Sequence, residues 1–168
     1  MKGFGTALLI VGSFLLGARL CRERRRYEGI LRELIQALSF MKGELQLRAA
    51  PIAELLEYPA GTKGDTGAFF AALLAALPQL GERCFAELWL HELRRCLPGL
   101  RGEEREEMEG LGQILGRLDL DAEVQALSAC VACLSRRLEE ERKNAPDFQR
   151  VSLGLCLCGG LLFAIVLF

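Results

Sequence analysis

The chain has 168 residues, of which 51% are hydrophobic and 26% charged, and its formal net charge is −1. These figures exclude a disordered polymer, a collagen-like chain and a large multidomain enzyme, and the slightly acidic balance of region 21–150 argues against nucleic-acid binding. Leu and Ala together supply 53 residues, whereas Val, Ile and Thr supply 14. Because Leu and Ala lose little rotamer freedom in helices, the composition predicts an all-helical protein.

The charges divide the chain into three regions. Of the 43 charged residues, 41 lie between Cys21 and Arg150, and the two exceptions are Lys2 and Arg19. We therefore predict an N-terminal transmembrane helix at 1–20, a cytoplasmic helical domain at 21–150 and a C-terminal transmembrane helix at 151–168.

The N-terminal stretch 3–18 carries no charge. Crossing the ~30 Å hydrocarbon core takes about 20 helical residues, so Leu20 is expected to extend the span and Arg19 to reach back to the interface. A cleaved signal peptide, which would release an exported soluble protein, is the alternative. The sequence has no clean small-x-small cleavage site, and an arginine cluster follows directly, so a retained span is favoured.

The basic residues beside the two spans predict the orientation. Stretch 151–168 is uncharged, and its flanking cations precede it. Since such cations stay on the cytoplasmic side of the cell membrane, both ends place the middle region in the cytoplasm. The cluster at 22–26 is also placed to contact anionic lipid headgroups. The residues expected to set the orientation are Arg19, Arg22, Arg24, Arg25, Arg26, Lys143 and Arg150.

Two long helices are predicted at the start and end of the middle region. Over 27–47 and 121–142, apolar residues recur at alternating steps of three and four, a spacing typical of helices that pack lengthwise. Asp119 or Asp121 is the expected N-cap of the second, and Pro146 is expected to end or bend it. The predicted packing seams are Leu31, Leu34, Leu38, Met41 and Leu45 on the first helix, and Val124, Leu127, Val131, Leu134 and Leu138 on the second.

Four shorter helices are predicted between the long ones. They cover 51–57, 66–77, 82–97 and about 102–118, and turn residues separate them. Short connections are typical of antiparallel neighbours in a bundle. The predicted fold is therefore all-α, a cytoplasmic bundle of about six helices flanked by two transmembrane helices.

No residue pattern predicts catalysis. The only histidine, His91, has no nucleophile or metal partner placed by spacing, so it is expected at the surface or at the edge of the core. The glycine-rich stretches 61–67 and 110–116 lack the strand or the Gly-Lys-Ser/Thr signature of nucleotide sites. We therefore predict no enzymatic activity, no cofactor, no small-molecule substrate and no nucleic-acid partner.

A C-x-x-C motif at Cys130 and Cys133 supports an alternative function, that of a redox- or zinc-binding membrane protein. A four-cysteine zinc site would add Cys84 and Cys96. However, the motif lies within the second long helix, with no second C-x-x-C and no histidine nearby. Because a cytoplasmic domain is kept in a reducing compartment, all seven cysteines are expected to be reduced thiols.

Several stretches share their order and spacing with a known family. They are 31–45 with 50–56, the segment Gly110-Leu-Gly-Gln-Ile-Leu-Gly-Arg-Leu-Asp119, the segment Glu139-Glu-Glu-Arg-Lys-Asn144, and 151–155 with 159–162. In this order they resemble the stage III sporulation protein AB family over nearly the whole chain. The chain departs from the family pattern at 46–49 and around 82–96.

The resemblance implies a non-enzymatic role in endospore formation. Such proteins belong to a secretion-like complex in the mother-cell membrane facing the forespore, where this chain would be a membrane-anchored platform or adaptor subunit. Its soluble fold would be similar to the inner-membrane platform protein of type II secretion systems. The implied partners are other subunits of the sporulation complex, with a cytoplasmic ATPase as the expected neighbour, and the family has no catalytic residues to carry over.

Overall fold

The structure, a computed structural model, describes the backbone of residues 2–81, 83–116 and 119–167, and the side chains of residue 19 and of 22–81, 83–116 and 119–143. Within these ranges the chain is all-α, with six α-helices and one short 3-10 helix, which confirms the predicted class and helix number. The helices are α1 (Lys2–Arg48), α2 (Ile52–Ala60), α3 (Asp65–Ala76), the 3-10 helix (Leu77–Gln79), α4 (Phe85–Cys96), α5 (Gly102–Ile114) and α6 (Leu120–Leu167).

Both long helices are continuous. Helix α1 contains 47 residues and α6 contains 48. Asp119 precedes α6, and its carbonyl oxygen accepts a hydrogen bond from the Glu123 N–H at 3.1 Å, as expected for the N-cap position. Helix α6 continues through Pro146, so the first of the two alternatives predicted for this proline, that it ends the helix, is wrong, and the second, that it bends the helix, stays a prediction. Proline lacks one backbone donor, but its fixed φ near −65° is itself compatible with helical backbone.

The two predicted transmembrane helices fall on 1–20 and 151–168. Apart from Arg19, the side chains there lie outside the described part of the structure. The backbone is helical from Lys2 and up to Leu167. Among the described residues, no helix combines the length and the apolar character needed to cross a membrane. Both spans therefore stay predictions from the sequence.

The four shorter helices lie close to their predicted ranges and differ at the ends. Helix α4 begins at Phe85 rather than at residue 82, because Cys84 has extended backbone (φ −78°, ψ 153°). Helix α5 ends at Ile114 rather than near residue 118. Leu115 leaves the helical region with ψ 129°, and Gly116 then takes the left-handed φ of +75° that glycine accommodates without strain.

The chain divides into two compact units, Met1–Glu28 with Glu139–Phe168, and Gly29–Leu138. The second unit contains a hydrophobic core to which α1 contributes a continuous buried stripe. Its members are the five residues of the predicted α1 seam, Leu31, Leu34, Leu38, Met41 and Leu45. Burial of these positions on one helix face is what a packing seam requires.

The buried stripe of α6 differs in part from its predicted seam. Leu127, Leu134 and Leu138 are buried, but Val124 and Val131 are only half-buried. Cys130 is fully buried, and Glu123 is nearly so. The buried stripe thus follows steps of four, three, four and four from residue 123. These steps average 3.75 residues, compared with 3.5 for a strict heptad and 3.6 for a straight helix, and they leave both valines at the margin of the stripe.

Candidate interaction surface

The interior of the Gly29–Leu138 unit is organised around the indole of Trp89. Its ring meets Phe69 edge-to-face at a centroid distance of 5.0 Å, and it meets Phe85 at 5.8 Å. The indole N–H donates a hydrogen bond of 2.7 Å to the Met108 carbonyl oxygen, so its polar atom is satisfied in the core. These contacts link α3, α4 and α5, and we call Trp89, Phe69, Phe70 and Phe85 the buried aromatic cluster.

Gly112 on α5 completes the packing of this cluster. A Cβ atom added at Gly112 would overlap the pyrrole part of the Trp89 ring. The glycine therefore lets the α5 backbone approach the indole more closely than any side chain would permit. Here a helical glycine, normally unfavourable in a helix interior, is explained by contacts within the chain itself.

A second aromatic pair lies at the surface. Phe40 of α1 stacks on Tyr58 of α2 with centroids 4.1 Å apart and planes at 28°. Tyr58 is 49% exposed and Leu47 is 84% exposed. Phe40, Gly43 and Leu47 share one face of α1 by their three- and four-residue spacing. We call these four residues, Phe40, Gly43, Leu47 and Tyr58, the exposed aromatic patch.

Gly43 lies between the two apolar side chains of this face. A Cβ atom added there would meet nothing within 4 Å apart from its immediate helical surroundings. Unlike Gly112, therefore, Gly43 is not required by any contact within the described part of the chain. Gly43 is half-buried and lies in the last two turns of α1, between Phe40 and Leu47.

Carboxylates border the exposed aromatic patch. Arg48 Nε lies 2.6 Å from Glu44 Oε2, and Arg48 Nη1 lies 2.8 Å from Glu54 Oε2. Glu57 is exposed and, among the described residues, forms no ion pair. We call Glu44, Glu54 and Glu57 the acidic rim. With three carboxylates against the one guanidinium of Arg48, its local charge is negative.

The residues predicted to set membrane orientation are mostly exposed. Arg22, Arg25 and Arg26 are exposed, and Arg19 pairs with Glu23 at 3.4 Å. Lys143 Nζ lies 2.9 Å from Glu139 Oε1, and Arg150 lies outside the described side chains.

Arg24 differs from the rest of this set. It is half-buried, pairs with Glu141 of α6 through Nη2 at 3.3 Å, and donates a hydrogen bond to the backbone carbonyl of the same residue. Within the unit formed by the two ends of the chain, Arg24 thus connects α1 to α6.

Two adjacent ion pairs join α5 to α6 and differ in burial. Glu103 pairs with Arg136 while both side chains are about 60% exposed (64% and 59%). Glu104 is buried, and its carboxylate lies 3.8 Å from Arg137 Nε. Both acids stand in the first turn of α5, where they also favour the helix dipole. The acidic run at 103–109 is thus used in part for internal contacts.

His91 lies at the surface and contacts Glu92. Its Nδ1 is 3.0 Å from Glu92 Oε1, and Arg95 Nη2 is 2.6 Å from Glu92 Oε2. Burial by itself raises the pKa of the Glu92 carboxyl, but hydrogen bonds from Arg95 and His91 outweigh it and hold that pKa below its ordinary value. Glu92 is therefore ionised at neutral pH. The Cys96 thiol also donates a hydrogen bond to Glu92 Oε2 at 3.9 Å, and burial raises the pKa of this thiol, so it is protonated at neutral pH.

Cys130 is a core residue. Its thiol lies against Met108 with Sγ 3.6 Å from Sδ, and burial raises its pKa to about 12. Burial also raises the pKa of Cys133. Because the thiolate is both the nucleophile and the metal ligand, these protonated thiols are poorly suited to redox or zinc chemistry. Among the described residues, no group of three or more His, Cys, Asp or Glu side chains is arranged to hold a metal ion.

The exposed aromatic patch was not predicted from the sequence, although the sequence contains a signal for it. Phe40 lies nine residues after Leu31, and Leu47 lies nine after Leu38. At about 100° per residue, nine residues make about two and a half turns, so both side chains lie on the face opposite the buried seam. Large apolar residues repeated on the polar face of an amphipathic helix are the pattern that could have found this surface.

The fold and the surface define a class of protein, an all-helical domain with contact surfaces. A model of the family described as stage III sporulation protein AB matches residues 2–168, and the chain belongs to that family. A solved structure of a protein named stage III sporulation protein AB is similar, with a TM-score of 0.64 and 16% sequence identity. The match covers 73% of this chain and 98% of the other, and at this identity it supports the fold alone. No curated protein matches the chain.

Proposed function

We propose that this protein is a non-enzymatic, membrane-anchored platform or adaptor subunit of a sporulation-specific, secretion-like complex between mother cell and forespore. Its cytoplasmic helical domain binds other subunits of the complex, a cytoplasmic ATPase among them, while its two ends bind membrane lipid. Membership of the stage III sporulation protein AB family is the observation that carries this proposal.

Two features of the chain support the membrane anchor. Stretches 3–18 and 151–168 carry no charge, and basic residues border each on the side of the middle region. Arginines that flank a span favour the cytoplasmic side, so both ends orient the domain alike. The exposed arginines at 22 and 25 lie next to the predicted N-terminal span, where anionic headgroups attract basic side chains.

The surface supports an adaptor rather than a catalyst. Its apolar residues at Leu47 and Tyr58 are exposed, as at protein-binding sites. The perturbed pKa values of Glu92 and Cys130 have explanations in local packing and ion pairs, and burial raises the pKa values of Cys96 and Cys133. The exposed aromatic patch is therefore a better candidate for function than any of these groups.

Affinity purification of the tagged full chain from sporulating cells tests the function. The proposal expects other membrane subunits of the sporulation complex to co-purify in comparable amounts, and to be absent from a parallel purification of a tagged, unrelated two-span protein. Recovery of the chain without any of these subunits would contradict the adaptor function.

Cysteine accessibility tests the membrane orientation separately. A cysteine introduced at Gly61, in the turn after α2, is expected to resist a membrane-impermeant maleimide in intact cells and to react after permeabilisation. Labelling in intact cells would place the domain outside and overturn the proposed orientation.

A further inference from the structure

We infer that the exposed aromatic patch, bordered by the acidic rim, is a docking site for a partner helix with an aliphatic face flanked by Lys or Arg. The inference rests on the proposed adaptor function and specifies the surface and the chemistry of its partner. Its first basis is exposure. Leu47 is 84% exposed and Tyr58 49%, and both lie on elements that pack well elsewhere. Burying such side chains against a partner is favourable.

The second basis is the shape of the surface. Phe40 and Leu47 project from one face of α1, with Gly43 between them, and Tyr58 stacks beside Phe40. At Gly43 the space where a side chain would lie is empty to 4 Å. Small residues allow a second helix to approach a backbone closely, and the apolar side chains of Phe40 and Leu47 lie on either side of this glycine. A helix is therefore the form of partner that this face of α1 accommodates.

The third basis is charge. Arg48 is already hydrogen-bonded to Glu44 and Glu54, and Glu57 has no ion pair among the described residues. The acidic rim thus presents excess negative charge around an apolar centre, an arrangement that favours a basic partner and disfavours an acidic one. A second copy of this surface would face its own carboxylates, so a symmetric pairing of two patches is disfavoured as well.

Binding of a designed peptide to the full chain in non-ionic detergent micelles tests this inference. The probe is a fluorescent 18-residue helix with Leu on one face and Lys on the others, and its counterpart replaces every Lys by Glu. We expect the Lys peptide to bind about tenfold or more tightly than the Glu peptide, after subtraction of a micelle blank, and we expect binding to weaken with added salt.

Variants locate the site. Gly43→Gln fills the space between Phe40 and Leu47, and Leu47→Ser removes an apolar anchor without changing the charge, so each is expected to weaken binding of the Lys peptide about tenfold or more. Gly110→Gln makes the same change at another helical glycine with open space around it, on α5, and is expected to leave binding unchanged. Circular dichroism of all three variants checks that the fold is retained.

The possible outcomes separate this inference from the adaptor function. Equal binding of the Lys peptide to the wild type and to folded Gly43→Gln and Leu47→Ser variants would overturn the docking site, and so would binding of the Glu peptide as tight as that of the Lys peptide. Self-association that Gly43→Gln abolishes would assign the patch to a second copy and overturn the basic partner. If the purification above still recovers other subunits, only the docking site has failed.

Discussion

Two aromatic clusters of this protein use the same residue types in opposite ways. In the buried aromatic cluster, Trp89 is fully enclosed, and Gly112 gives the space that its ring occupies. In the exposed aromatic patch, Phe40 and Tyr58 stack on each other, but Gly43 beside them faces open space. The first cluster is complete within the chain. The second cluster contains aromatic and aliphatic side chains like those of a hydrophobic core, but these side chains lie at the surface. This combination is typical of a binding site.

The largest expected effect is the loss of the central ring of the buried cluster. Trp89→Ala removes its packing on Phe69 and Phe85 and the hydrogen bond to Met108, and should lower the free energy of unfolding by about 3–5 kcal/mol. Urea unfolding of the full chain in non-ionic detergent, followed by circular dichroism, measures it. Tyr58→Ala is the matched change in the exposed patch and should cost about 1 kcal/mol or less. Similar losses of unfolding free energy for the two variants would contradict the proposed difference between the buried aromatic cluster and the exposed aromatic patch.

The next largest expected effect on stability comes from a buried carboxylate, which is compared here with an exposed one. Glu104→Gln removes the charge of the buried carboxylate that lies 3.8 Å from Arg137 Nε, and it should lower the free energy of unfolding by about 1–3 kcal/mol. Glu103→Gln breaks the neighbouring exposed pair with Arg136 and should cost less than about 0.5 kcal/mol. The same urea titration measures both. Equal effects would show that burial does not distinguish the two pairs.

Gly112→Ala should destabilise the protein by about 1–3 kcal/mol, because the added methyl group overlaps the Trp89 ring and forces the core to shift. Fluorescence of Trp89, the only tryptophan, reports the local rearrangement. Gly110→Ala, two residues earlier on the same helix, meets no neighbouring atom and serves as the control. A neutral Gly112→Ala variant would mean that the close approach of α5 to the indole is not required.

Gly43→Ala should have the opposite sign. Alanine is favoured over glycine in a helix interior by up to about 1 kcal/mol, and nothing within 4 Å obstructs the methyl group, so the free energy of unfolding should rise by up to that amount. Thermal unfolding would record it as a modest increase in Tm. A fall in stability would show that Gly43 has an internal structural role, and it would remove the difference between the two glycines.

The smallest expected effect is on reactivity rather than on stability. Cys130 is buried and its pKa is raised to about 12, so at pH 8 almost none of it is the reactive thiolate. Mass spectrometry after mild alkylation should find the exposed Cys84 modified and Cys130 protected until the protein is unfolded. Rapid modification of Cys130 in the folded protein would restore the redox alternative.

The local pattern of the sequence predicted the helices and the buried seam of α1, because apolar periodicity is a local signal. The same pattern predicted the α6 seam less accurately, because two of the five predicted residues, Val124 and Val131, are only half-buried. Glu123 is charged and therefore does not belong to an apolar pattern. Its Oε1 nevertheless accepts a hydrogen bond of 2.7 Å from the Gly116 N–H, which satisfies the carboxylate in its buried position. Cys130 was considered for its motif, although it occupies a core position.

The exposed aromatic patch was harder to predict because it depends on two helices. The stacking of Tyr58 on Phe40 follows from the turn between α1 and α2, which periodicity does not describe. The importance of Gly112 depends likewise on where α4 places the Trp89 ring. Contacts between elements distant in sequence, rather than propensities within one element, decide which glycine is required by the fold and which is left open.

We propose that this protein acts in sporulation by binding a partner through its exposed aromatic patch. Counts of heat-resistant spores test this proposal most directly. A spore-forming strain that lacks its own copy would be complemented with the wild type, Gly43→Gln or Gly110→Gln, with protein levels checked by immunoblotting. We predict that Gly43→Gln, when the protein is present at its normal level, lowers the spore count about tenfold or more, whereas Gly110→Gln gives the wild-type count. Wild-type spore counts with Gly43→Gln would contradict it.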